Sequence, residues 1–181
     1  MSAGNSETTY GWVAITLHWS VALTVFALAG LGLYMVELDY YDPWYRKVPD
    51  LHKSIGITLF VVMLLRIFWR TVNPAPRPVE GVAEWEEKIA SIVHKLLYLL
   101  LIAIMLSGYL ISTADGRAIE LFGLLDIPAV ITSIENQEDT AGLIHYTLAL
   151  ALLSLVGLHA VAALKHHFIN RDKTLLRMLG K

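Results

Sequence analysis

The sequence predicts an all-α fold, a transmembrane bundle of four helices, and three observations carry that prediction. Hydrophobic residues make up 56% of the 181 and charged residues only 17%, less charge than a water-soluble domain of this size carries. The apolar residues gather into four runs, near 12–36, 51–69, 89–112 and 141–167, each close to or beyond the ~20 residues a helix needs to cross a bilayer. No alternating ten-residue pattern recurs, which argues against a membrane barrel, and a helix satisfies its own backbone groups in lipid.

The length fits one membrane domain spanning 1–181. Mean hydropathy is +0.56, so membrane lipid is the expected surrounding. A net charge of −2 lacks the basic face that nucleic-acid binding needs. There are no cysteines, which excludes disulfides, thiolate catalysis, cysteine-held iron–sulfur clusters and covalently attached haem. Any metal or haem must therefore be held by the seven histidines.

The elements follow in order. The polar segment before Tyr10 has no Lys or Arg, and the apolar run from Trp12 is longer than the core of a secretory signal, so it reads as a retained first helix. The first connection, 37–50, is acidic and carries Tyr40, Tyr41, Trp44 and Tyr45, rings suited to a membrane–water interface. The second helix runs from about Leu51 to Trp69. After it, Asn73-Pro74-Ala75-Pro76-Arg77-Pro78 is a stiff, non-helical linker, and an amphipathic start at 83–88 leads into the third helix. The third connection, 113–140, is the longest. Asp115-Gly116 marks a turn in it, and Ile119 to Leu125 is suited to lie on the surface.

Positive charge sets orientation. Ten Lys and Arg fall on the side that holds both ends of the chain and the second connection, against four on the other: Arg46, Lys47, Lys53 and Arg117. Both termini are thus expected on the cytoplasmic side. The outer side also carries ten acids against those four bases, a net of about −6.

Five histidines, His18, His52, His94, His145 and His159, lie in or at the ends of the spans, where ionisable groups are costly and mark function. One alone would read as a polar residue near a helix end; five at this spacing read as ligands. His145 and His159 are 14 residues apart on the fourth helix, ~21 Å along the axis and only ~40° around it. They face one interior at two membrane depths, as two stacked cofactors require. The second helix enters from outside, so His52 shares the outer level with His145. The first and third enter from inside, so His18 and His94 share the inner level with His159. Imidazole pairs suit haem iron, and two axial ligands per haem leave one inner histidine spare. Gly32 and Gly108 sit 14 residues beyond His18 and His94, at the outer level, and give room either for a porphyrin edge or for close helix packing; Gly56, Gly142 and Gly157 are open to the same two readings. Arg66, 14 beyond His52, is placed to reach an inner-haem propionate or to snorkel to the interface. Zinc, which favours four clustered ligands, fits pairs ~21 Å apart poorly.

Thr16-Leu17-His18-Trp19, Leu51-His52-Lys53-Ser54-Ile55-Gly56, His94-Lys95-Leu96-Leu97-Tyr98 and the tail from Leu164-Lys165-His166-His167-Phe168 to Thr174-Leu175-Leu176-Arg177-Met178 together resemble the prokaryotic cytochrome b561 family over nearly the whole chain. Tyr40-Tyr41-Asp42-Pro43-Trp44-Tyr45 and Gly108-Tyr109-Leu110-Ile111-Ser112-Thr113-Ala114-Asp115-Gly116 look most like its YceJ-like subgroup. The resemblance implies a four-helix inner-membrane cytochrome with two haems b. It implies the axial pairs His18/His159 and His52/His145, and leaves His94, with Arg66, for propionate or quinone contacts. His166 and His167 match a family feature and read equally as polar residues at a helix end. Such a protein passes electrons between a periplasmic donor and the quinone pool.

Three other functions are carried beside that one. A relative in the family oxidises superoxide and reduces ubiquinone; here the acidic outer side would slow an anion's approach. The chain would otherwise be a haem-bearing anchor whose long third connection docks a redox partner, a periplasmic lipocalin-like polyisoprenoid-binding protein being the candidate by resemblance. From another class comes a haem-free transporter or assembly factor, which would be colourless.

Overall fold

The structure, a computed structural model, describes residues 2–181. Among these residues, four helices are long and apolar enough to cross a membrane: α1 (Trp12–Met35), α2 (Lys47–Val72), α3 (Glu84–Ser112) and α4 (Gln137–Lys165). A π-helical turn, His166–Asn170, continues α4, and a short α5 (Thr174–Met178) follows it.

The helices cover the expected runs and overshoot them at charged ends. α2 starts at Lys47 rather than Leu51, because Pro49 in a first turn keeps its fixed φ without losing a hydrogen bond. α3 starts at Glu84 rather than Ile89, with Glu84, Glu86 and Glu87 in its first turn. α4 starts at Gln137 rather than Ala141, with Glu138 and Asp139 in its first turn. Carboxylates favour the positive end of a helix dipole, so these turns are helical although too polar to lie in lipid. α2 ends at Val72, where the following Asn73-Pro74 forces extended backbone.

α3 packs closely along α4 and α1 along α2, while α2 joins α3. The backbone of α4 barely approaches that of α1 or α2, so α4 faces those two helices across a wider gap. One apolar cluster closes the middle of the bundle: Val21 and Val25 from α1, Leu59 and Met63 from α2, Leu101 from α3 and Leu152 from α4. Leu152 is midway in sequence between His145 and His159. Outward, Leu23, Phe26, Leu65, Phe68, Leu99, Leu143, Leu158 and Val161 are exposed, an apolar girdle that only lipid accommodates.

The stretch expected to lie on the surface forms an antiparallel hairpin, β1 (Ile119–Leu121) and β2 (Leu125–Ile127), with Leu121 opposite Leu125 and Phe122, Leu124 and Leu125 exposed. Its turn needs positive φ at Phe122 (52°) and Gly123 (69°), the pattern of a tight hairpin turn that glycine favours. Ile119 is buried. Ser54 of α2 accepts a hydrogen bond from the Phe122 N–H at 3.0 Å, which ties the hairpin over the start of α2. Ser54 is 2% exposed, so Ser54→Ala leaves that N–H without its partner at a cost of about 1–3 kcal/mol. Amide exchange at Phe122 is expected to speed up roughly tenfold or more while the middle of the bundle keeps its protection; unchanged exchange would show that the hairpin does not depend on this tether.

The opposite end, with both termini, is also tied down. Asn5 donates to the carbonyls of Asn73 and Pro74 at 3.2 and 3.1 Å. Arg177 donates to the Arg77 carbonyl at 2.7 Å, and the Trp19 indole donates to the Met178 carbonyl at 2.8 Å.

Candidate functional site

The chain's helical spacing brings the five histidines to two levels, as expected. At the hairpin end, the His52 and His145 rings are 6.3 Å apart, centre to centre, at 69°. At the terminal end, His18 and His159 are 6.4 Å apart at 67°. An imidazole nitrogen bonds a metal at about 2.0–2.1 Å, so two rings on opposite sides of one metal would stand roughly 6 Å apart. Both pairs have that separation, and both bridge the wide gap between α4 and its neighbours. His94 stands nearer to His159, at 5.2 Å, shorter than the separation of the other two pairs.

Tight glycine contacts hold the hairpin-end rings. A Cβ on Gly108 would lie 3.1 Å from His145 Cε1 and 3.3 Å from its Nδ1, and one on Gly32 would lie 3.4 Å from His52 Cε1. The first contact is tighter than most Cβ contacts, so a side chain at residue 108 would make the ring give by a few tenths of an ångström. These two glycines therefore seat the imidazoles themselves.

The hydrogen bonds fix how His145 points. Its Nδ1 lies 3.0 Å from the Ile104 carbonyl and 3.1 Å from Ser107 Oγ. A carbonyl only accepts, so Nδ1 carries the proton and Nε2 keeps its lone pair for a metal. His52 Nδ1 is buried and, among the described residues, has no hydrogen-bond partner, the kind of orphaned donor that a bound group or water accounts for.

The terminal end is cationic. Arg66 donates to His18 Nδ1 at 2.9 Å and lies 5.4 Å from the centre of the Tyr98 ring, with Arg70 at 5.9 Å from the same ring. Tyr98 and Arg70 carried no assigned role in the sequence; the signal available was Tyr98 one helical turn beyond His94, and Arg70 one turn beyond Arg66. A guanidinium only donates, so His18 Nδ1 accepts here and the ring proton lies on Nε2; Nε2 would be open to a metal only with Arg66 turned to another partner, such as a carboxylate of a bound group.

His166 and His167 lie just outside this level, in the π-helical turn. His166 Nδ1 is 2.6 Å from Asp172 Oδ2, and His167 packs against Phe168. Partial burial raises the Asp172 pKa, but hydrogen bonds from Thr174 and His166 outweigh it and leave the carboxyl below its usual range. Beside this turn, Lys165 pairs with Glu86.

Sequence comparison places the chain among known proteins. Residues 9–181 match the family described as prokaryotic cytochrome b561. The chain is 47% identical over 181 residues to cytochrome b561 homolog 2 of Escherichia coli, covering all of this chain and 96% of that one, which bears out the YceJ-like resemblance. It is 34% identical to the protein named probable superoxide oxidase CybB of Yersinia pestis, over 95% of this chain and 96% of that one. It is 31% identical to cytochrome b561 homolog 1 of E. coli, over 92% and 94%.

Proposed function

We propose that this chain, which belongs to the prokaryotic cytochrome b561 family, carries electrons through two b-type haems from a donor at the hairpin end to the quinone pool at the terminal end. Membership makes it a membrane electron-transfer protein; the haem count, the ligands and the quinone are our reading. The observation that carries it is the pair of matching histidine separations, 6.3 and 6.4 Å, one at each end of the apolar cluster. His52 and His145 would hold one haem and His18 and His159 the other. Haem iron supplies the one-electron chemistry.

The chain's residues do the rest. Ile104 and Ser107 hold His145 in its ligating tautomer, and Gly108 and Gly32 seat the rings. Val21, Val25, Leu59, Met63, Leu101 and Leu152 keep water out between the two levels. Arg66 and Arg70 give the terminal end positive charge for propionates, and His94, spare at that level, is free for a propionate or a quinone oxygen. The excess of Lys and Arg at the terminal end supports a cytoplasmic placement of both termini, which puts the hairpin, with its exposed Phe122 and Leu124, where a lipocalin-like periplasmic partner could dock.

The Yersinia relative's name favours a second reading in which the donor is superoxide. Both predict that the purified protein is red and holds two haems per chain, and that a short-chain ubiquinone reoxidises the reduced haem band. A colourless protein would instead support a transporter or assembly factor. A red protein inert to quinone would support a haem-bearing anchor.

A further inference from the structure

We infer that Arg66 is a positioning residue that makes the terminal-end haem the higher in reduction potential of the two, so that electrons run downhill from the hairpin end. This rests on the two-haem reading above.

The two ends present opposite surroundings to their axial rings. At the hairpin end, His145 donates its Nδ1 proton to the Ile104 carbonyl at 3.0 Å. An imidazole hydrogen-bonded in this way is a more basic ligand, and a more electron-rich ligand favours the oxidised, more positively charged iron. The loops at that end carry ten acids against four bases, which adds to the preference. No arginine or lysine lies beside the His145 ring in the hydrogen bonds and aromatic contacts of this end.

At the terminal end the sign reverses. Arg66 reaches His18 Nδ1 at 2.9 Å, and Arg70 lies on the same Tyr98 ring. A cation beside the site favours the state with one more electron, and it acts strongly where the dielectric is low. When Arg66 leaves Nδ1 for a carboxylate, it stays at this level, because α2 fixes its backbone and the Tyr98 face holds the guanidinium. Snorkelling toward water is opposed by those two contacts. The bundle thus puts two guanidinium groups at one ring pair and its electron-donating hydrogen bond at the other.

Redox titration of the haem-loaded full chain, followed at the reduced haem band, tests this. Wild-type protein is expected to titrate as two one-electron components. His145→Ala, which removes the hairpin-end ligand, should leave the higher one. Arg66→Gln should lower that higher component by about 59 mV, a tenfold change in a one-electron equilibrium, and leave the lower component in place. Arg66→Lys keeps the charge and should return most of the shift, which a merely structural role for Arg66 would not allow. Arg70→Gln should give a smaller shift in the same direction. The inference is overturned if His145→Ala leaves the lower component, if Arg66→Gln moves the lower component, or if Lys and Gln at position 66 shift the potential equally. A wild-type protein with one haem would sink the two-haem reading instead, a result distinct from each of these.

Discussion

Replacing His145 by alanine is expected to leave one haem per chain, and replacing His159 by alanine is expected to leave the other one. Each ring is half of a pair whose separation suits a shared metal, and the two pairs are ~21 Å apart along α4, with an apolar cluster between them. Loss of one axial ligand therefore removes its own haem and leaves the packing at the far end intact. His52→Ala should copy His145→Ala, and His18→Ala should copy His159→Ala. Gly108→Ala is the milder form of the first: its Cβ would stand 3.1 Å from the His145 ring, so the ring must shift by a few tenths of an ångström, and haem affinity at the hairpin end should fall while both haems still bind. His94→Ala should keep both haems, since His18 at 6.4 Å from His159, and not His94 at 5.2 Å, has the separation suited to rings on opposite sides of one iron. Haem-to-protein ratios decide all of these. Two haems in His145→Ala would refute the pairing, and loss of a haem in His94→Ala with retention in His18→Ala would exchange those two residues.

Why the histidine levels were legible in the sequence is plain from helix geometry. A 14-residue spacing returns to nearly the same helix face at any membrane depth, so His145 and His159 declare two levels without coordinates. Distances across helices are not periodic, and there the sequence left His18 and His94 unresolved on spacing alone; 6.4 against 5.2 Å is a property of how α1, α3 and α4 pack. Gly32 and Gly108 were legible as gaps, but only packing shows that imidazoles occupy the space beside them. The helix starts at Lys47 and Gln137 lie outside the apolar runs for a related reason, while the start at Glu84 falls within the amphipathic stretch 83–88. Hydropathy reports which residues tolerate lipid, whereas carboxylates in a first turn are favoured by the dipole and continue the helix into water. The hairpin was not legible because its strands are three residues each, too short to show an alternation, and because it is held on α2 by one buried side chain, Ile119, and by the Ser54 hydroxyl. Arg66 lay at the right depth from its spacing to His52, yet its grip on His18 and Tyr98 depends on rotamers that spacing does not encode.

The donor's charge should matter more to the rate than any single charge substitution on the loops of the hairpin end. Of the four bases there, Lys53 is bonded to Asp50 at 2.7 Å and Lys47 lies over the Trp44 ring at 5.4 Å. Arg117 is held by Asp115 at 2.5 Å, and that hydrogen bond keeps the Asp115 carboxyl ionised well below its usual range. Three of the four are thus engaged locally, while Glu120 and Asp126 face each other across the hairpin above the level of His52. A field of that sign slows the encounter of an anion and speeds that of a cation by factors of 10 to 10³, and salt weakens it over a Debye length of about 10 Å at 0.1 M. Superoxide presented to the hairpin end should therefore reduce the haem slowly, and faster as ionic strength rises. A cationic one-electron donor should do the reverse. Glu120→Gln with Asp126→Asn should raise the superoxide rate and flatten its salt dependence, since the two substitutions remove two negative charges close to the site. Stopped-flow reduction at several salt concentrations reads both trends. If superoxide reacts fast and slows with salt, the bases shape a local positive path despite the surrounding acids, and the activity in the Yersinia relative's name becomes the better account of this chain.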